Sequence, residues 1–183
     1  MVSSGEHPWT KGGLMLTAAA LRAAAEDAIA AYARDEEACG YMRGPVGEAL
    51  RCDEAVALEN LANKLHRSDP ERYFRTGRTY FEFNTFKFDK AVRASAEEGK
   101  PVKVLYHSHL DAGAYFSPTD RAAMSMGSMP EVEGGAITMG QGPAYPLAFL
   151  VLSVRGGAID ERRLFVWDEA ARDFVVADFT IID

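Results

Sequence analysis

The amino-acid sequence predicts an α/β fold, a mixed central β-sheet flanked by helices. Three observations lead there: an Ala-rich helical repeat near the N-terminus, several short β-branched or aromatic runs bounded by turn residues, and the interleaving of the two kinds along the chain. Hydrophobic residues make up 48% and charged residues 26% of the 183, a balance that excludes an extended disordered chain and supports a buried core. That length suits one domain, expected over residues 14–183.

Residues 1–13 hold Gly, Ser and Pro without periodicity and read as a loose N-terminal arm. Thr17 is suited to cap a helix on which Leu21, Ala25, Ala28, Ile29 and Tyr32 recur at helical spacing to about Arg34. Cys39–Arg43 and Leu50–Leu58 read as two strands joined through Gly44–Gly47, a hairpin. Residues 60–73 are polar, carry Asp69-Pro70, and read as a surface excursion, while the aromatic run 74–83 is expected to be a strand. Asn84 caps a second helix over about Thr85–Glu98, with Gly99 as its stop. Val102–Tyr106 is a central strand, and Ser117-Pro118 opens a third helix to about Ser125. Five glycines and two prolines make residues 127–145 a flexible loop of the kind that serves as a lid. Leu147–Val154, Arg162–Trp167 and Asp173–Phe179 close the chain as strands.

The net charge of -7 disfavours a nucleic-acid partner and favours a protein or small-molecule substrate. Apolar runs are too short to span a bilayer and no signal pattern opens the chain, so the cytoplasm is the expected location. Cys39 and Cys52 sit in apolar stretches and read as buried thiols rather than a disulfide.

Chemistry concentrates at residues 107–120. In an extended strand residues two apart share a face, so His107 and His109 present both imidazoles to one point while Ser108 turns away. Two imidazoles and a carboxylate leave the fourth tetrahedral position of zinc open to water, the arrangement of a catalytic site, and Asp120 is the natural third ligand. It lies one helical turn beyond Ser117, so both side chains start the same helix and can face the strand end. Taken alone, a His-X-His pair is weak, and Ser117-Pro-Thr-Asp120 is an ordinary helix start. Taken together, His-X-His, seven residues, Ser, two residues and Asp specify a metal site between a strand and a helix. His7 and His66 read as surface residues, and Asp111 as a solvent-facing acid in preference to a partner of an imidazole. Tyr115 and Phe116 either wall a channel or pack the core.

This pattern resembles the signature of the JAMM, or MPN-plus, zinc metallopeptidases, in particular their bacterial stand-alone members. Glu37-Ala-Cys39-Gly40 is similar to the family's glutamate ahead of a Cys-Gly strand, and Asp69-Pro-Glu-Arg-Tyr-Phe74 is similar to a segment of bacterial members. The resemblance runs from the first helix to about Val154, and departs at Leu110, where a proline is common in relatives. It implies the MPN, cytidine-deaminase-like fold; a zinc ion on His107, His109 and Asp120; Glu37 as catalytic proton carrier; and Ser117 as catalytic support of the oxyanion. Glu36 is the competing acid, and the Cys-Gly register favours Glu37.

The implied activity is hydrolysis of a peptide or isopeptide bond near the C-terminal tail of a ubiquitin-like or sulfur-carrier protein. Oligomeric state stays open, a homodimer included. Two other readings remain: a non-catalytic MPN-type scaffold, against which the intact ligand set argues, and a RadC-like DNA-repair-associated protein. The acidic charge and the missing helix-hairpin-helix-like N-terminus disfavour the latter.

Overall fold

The computed structural model describes residues 7–183. Nine strands and four α-helices follow in the order β1 (Leu14–Thr17), α1 (Ala18–Ala33), β2 (Cys39–Arg43), β3 (Arg51–Cys52), β4 (Glu54–Leu58), α2 (Ala62–Ser68), α3 (Thr85–Glu97), β5 (Val102–Leu110), α4 (Pro118–Met124), β6 (Ala148–Arg155), β7 (Ala158–Asp168), β8 (Asp173–Ala177) and β9 (Phe179–Ile182), among the described residues. A six-stranded sheet runs β4-β2-β5-β6-β7-β8, and a three-stranded one runs β3-β1-β9. In the large sheet β5 and β6 pair parallel while every other pair is antiparallel, so the sheet is mixed as expected.

Local signals set the helix starts. The Thr17 hydroxyl accepts from the Ala20 amide at 3.1 Å, and the Asn84 carboxamide accepts from the Lys87 amide at 2.9 Å. Helix α3 stops at the left-handed Gly99, φ 73°.

Side chains of β5 alternate between two core layers. Val104 and Tyr106 pack with α1, β1 and the even-numbered residues of β6; Leu105 faces the aromatic layer of Phe81, Phe83, Phe88, Phe116, Phe149, Phe165 and Phe174. His107 and His109 share that second face, on a strand buried over its whole length.

Several stretches differ from the sequence reading, among them Leu14–Thr17, which forms β1, and the expected strand Asp173–Phe179, which divides between β8 and β9. Residues 1–6 of the expected arm lie outside the described residues. Pro8–Lys11 forms a 3-10 turn, because Trp9 is buried and its indole N–H donates to the Pro146 carbonyl at 2.9 Å. The second hairpin arm divides, Arg51–Cys52 joining β1 in the small sheet and Glu54–Leu58 pairing with β2. The polar excursion contains α2, and the expected strand over 74–83 does not form. Phe81 and Phe83 there bury their rings from an irregular backbone, so their aromatic character reflects core packing rather than strand pairing.

Cys39 and Cys52 are both free and buried, one in each core layer. No described helix is long and apolar enough to cross a membrane. Gly40 faces the Tyr106 ring so closely that an added Cβ would lie 2.3 Å from it. Gly40→Ala is therefore expected to lower stability by about 1–3 kcal/mol in urea unfolding, through displacement of a ring that sits between β2 and α1.

Candidate metal centre

Because β5 is extended, His107 and His109 project together, and their registers with β2 and β6 (Cys39↔His107, His107↔Val151, His109↔Ser153) hold the strand from both sides. The loop after β5 returns the chain to Ser117, where α4 begins. The Ser117 hydroxyl accepts from the Asp120 amide at 3.1 Å, and Asp120 Oδ2 accepts from the Ser117 amide at 2.8 Å, a reciprocal cap that turns the carboxylate toward the strand.

Three ligand atoms converge there. His107 Nε2 lies 3.2 Å from His109 Nε2 and 3.2 Å from Asp120 Oδ2, and His109 Nε2 lies 3.5 Å from the same oxygen. A divalent ion bound tetrahedrally by nitrogen and oxygen at about 2.0–2.1 Å separates its ligands by about 3.3 Å, so the observed triangle matches one face of such a tetrahedron. The tautomer fits as well. His109 Nδ1 sits 2.9 Å from the Gly113 carbonyl, which only accepts, so the ring proton is on Nδ1 and the Nε2 lone pair is left toward the centre. Two imidazole nitrogens facing each other at 3.2 Å share at most one proton, and all three residues are buried. A cation satisfies what a single hydrogen cannot. His107, His109 and Asp120 thus can hold a metal ion, as their spacing in the sequence anticipated.

The electrostatics agree with a cation site. Burial lowers the pKa of His107, although Asp120 opposes the shift. Burial pushes the Asp120 carboxyl up, but contacts with His107 and His109 outweigh it and hold the group well below the usual carboxylate range.

Glu37 is buried, near enough to Asp120 for that charge to act on it. Burial, and then the charge of Asp120, raise its pKa well above the ordinary value, against the pull of the Arg75 guanidinium. Such a carboxyl binds a proton more readily than an exposed glutamate does. Glu36 faces elsewhere, bonded to Arg34 at 2.8 Å and accepting from Asn63 Nδ2 at 3.2 Å. The middle residue of the pair, Ser108, is no spacer: its hydroxyl accepts from the Ala38 amide at 2.8 Å and its own amide donates to the Ala38 carbonyl at 3.0 Å. The strand that carries the histidines thereby fixes the residue after Glu37. Ser117, already accepting from Asp120, keeps its hydroxyl hydrogen for another acceptor.

The remaining candidates separate cleanly. Tyr115 is half exposed with its ring 4.9 Å from that of His109, at the rim, whereas Phe116 is core, packed on Phe149, Phe165 and Phe174. Asp111 accepts from the Tyr32 hydroxyl at 3.0 Å and orients no imidazole, a task that falls to Gly113. His7 stacks on Trp9, and His66 binds the Tyr73 carbonyl, each apart from the triad.

Sequence reasoning missed Phe81, stacked on His107 at 4.6 Å, and Arg75, whose Nη1 donates to Thr119 beside Asp120 at 2.7 Å. Arg75 also lines two cavities, of about 170 and 290 Å³, that share Phe74 and Pro130. Both residues belong to the stretch read as a strand. No local pattern marks a ring or guanidinium that reaches the site from irregular backbone.

A family model described as prokaryotic homologs of the JAB domain matches residues 17–165. The chain resembles the solution structure of a protein from Desulfitobacterium hafniense, with a TM-score of 0.62 at 16% identity over 93% of each chain. It resembles likewise one from Salinibacter ruber, with a TM-score of 0.52 at 21% identity over 93% of this chain and 92% of that one. A JAB1/MPN domain protein from Archaeoglobus fulgidus aligns with a TM-score of 0.49 at 11% identity over 93% of this chain and all of that one. No curated protein matches the sequence.

Elemental analysis of purified protein is expected to find about one divalent ion per chain, lost in Asp120→Ala together with about 1 kcal/mol of stability from the broken cap. Full metal retention in that variant would remove Asp120 from the ligand set.

Proposed function

From the premise that the chain belongs to the family of prokaryotic homologs of the JAB domain, we propose that it is a zinc-dependent hydrolase, cleaving a peptide or isopeptide bond near the C-terminal tail of a ubiquitin-like or sulfur-carrier protein. The observation that carries this reading is the buried triangle of His107, His109 and Asp120, with the buried Glu37 carboxyl under the influence of Asp120. Three protein ligands are one short of a closed tetrahedron, which favours a catalytic over a structural ion. The nitrogen and oxygen donor set suits zinc, which when bound supplies Lewis acidity toward a carbonyl and acidifies water.

The chain's own groups perform the proton traffic. Glu37 takes one proton from the attacking water as its oxygen bonds to the acyl carbon, then delivers that proton to the departing nitrogen as the C–N bond breaks. A carboxyl raised by burial and by Asp120 suits both halves of that transfer. Ser117 donates its free hydroxyl hydrogen to the acyl oxygen where negative charge develops. Phe81 and Phe116 border His107 and keep water away from its ring. Two small cavities share Phe74, Arg75 and Pro130, and since Arg75 also bonds Thr119 next to Asp120, they support entry of a narrow segment in preference to a folded surface.

The 127–145 segment supports threading of such a tail. Its neck is fastened: Ser128 and Thr138 form a β-bridge, the Gly140 amide donates to the Ser125 hydroxyl at 2.8 Å, and a Cβ on Gly140 would lie 1.8 Å from the Ser125 carbonyl. Pro130 and Glu133–Gly135 are held out beyond that neck beside Phe74 and Arg75.

The test is a panel of ubiquitin-like and sulfur-carrier proteins bearing a C-terminal extension or a lysine-linked conjugate, incubated with zinc-loaded protein. Release at the tail, abolished by a chelator and restored by zinc, is the expected result; an inert zinc-loaded protein across the panel would favour the scaffold reading. Glu37→Gln is expected to keep the metal and lower kcat by about 10²–10⁴. Undiminished turnover in that variant would remove Glu37 from the chemistry.

A further inference from the structure

Between β4 and α2 lies Asn60, a polar side chain whose bonding connects the pieces of the centre. Its Nδ2 donates to the Glu37 carbonyl at 2.9 Å and to the Tyr80 carbonyl at 3.0 Å. Its Oδ1 accepts from the Ala62 amide at 2.9 Å and from the Glu82 amide at 3.1 Å. Every donor and acceptor of the carboxamide is thus used, all on backbone, and all on segments joined nowhere else by regular structure.

Two of these bonds fall on either side of Phe81. Fixing the peptide groups at Tyr80 and Glu82 fixes the direction of the side chain between them, and that ring lies on His107 with planes 23° apart. The Leu61 amide adds a bond to the Glu82 carbonyl at 2.7 Å. The third contact holds the Glu37 carbonyl, while the Glu37 amide donates to the Gly77 carbonyl at 2.6 Å. Glu37 therefore hangs between the 77–82 segment and the strand that Ser108 ties to Ala38.

We infer that Asn60 is a positioning residue that holds the Glu37 carboxyl and the Phe81 face of His107 in one frame, through a single carboxamide bonded to the backbone on both. The inference rests on the hydrolase reading for its kinetic consequence but not for its geometry. Aspartate at this position has the same shape, yet it turns an acceptor toward two carbonyl oxygens and so replaces two attractions with two repulsions. Alanine removes the ties without adding charge and serves if the aspartate variant does not fold.

The experiment compares Asn60→Asp and Asn60→Ala with Val166→Ala, a core truncation in the opposite layer, all zinc-loaded and well below their melting temperatures. Zinc content is expected to stay near one per chain. The His107 ring protons should lose the upfield displacement that a stacked phenyl ring imposes, and kcat should fall on the order of 10²-fold with KM within about twofold. A structural role alone would make the Asn60 variants behave like Val166→Ala. Unchanged His107 ring shifts overturn the inference, and so does a kcat equal to the control's, since Asn60 would then hold the wall without placing Glu37. If the wild type cleaves nothing in the panel, the hydrolase reading fails, and the ring shifts with the crystallographic position of Glu37 in Asn60→Ala still decide the frame.

Discussion

Bringing two imidazoles and a carboxylate within 3.2–3.5 Å of one another in a buried place is the constraint on which the rest of the molecule depends. Each of the three would prefer water, and burial withdraws it. Every neighbour can be understood as holding one of them against that preference. The Gly113 carbonyl fixes the His109 tautomer, the Ser117 amide binds the Asp120 carboxylate, and Phe81 covers the His107 face. A bonded polar group inside a dry wall is costly to misplace and hence well ordered, which is what an ion with strict geometry requires.

The same constraint explains why Glu37 lies where it does. It comes from a different segment, and no regular element of its own places it. Its surroundings supply the order instead: Ser108 reaches across from the histidine strand to Ala38, and Gly77 takes the Glu37 amide. The charge of Asp120 then acts on Glu37 through a poorly screened interior, so the carboxylate that can hold a cation also helps raise the pKa of its neighbour. Placement and the raised pKa have one origin.

Much of this was legible in the sequence where a local rule is complete in itself. Thr17, Asn84 and Ser117 announce helices because a cap needs only the next three residues, and His107 with His109 announces a shared face because strand geometry alternates by two. The triangle of His107, His109 and Asp120 that can hold a metal was readable for the same reason, two local patterns at a definite separation. What could not be read depends on distant partners. Strand β1 exists because Leu14–Thr17 pairs with Phe179–Ile182 at the other end of the chain. Asn60 looks like a turn residue until its carboxamide is seen to bond three segments, and Phe81 looks like a strand residue until its ring is found on His107.

The seven-residue gap between His109 and Ser117 shows why spacing carried so much information. Leu110 continues β5 and pairs with Val154; the chain turns one residue later, at Asp111 with φ 53°. That left-handed turn is held by the Asp111 carboxylate on the Tyr32 hydroxyl and by the Asp111 amide on the Val154 carbonyl at 2.8 Å. Beyond it the Ala112 carbonyl accepts from Ser153 at 2.6 Å, the Gly113 carbonyl meets His109, and the Ala114 amide donates to Glu161 at 3.0 Å. Phe116 then enters the aromatic layer and Ser117 starts the helix. Residues 111–114 of the connection are each bonded to the sheet, to α1 or to His109, so little slack remains to absorb an inserted or deleted residue without moving Asp120 off the histidines. A gap of fixed length between strand and helix is therefore a physical requirement of the site.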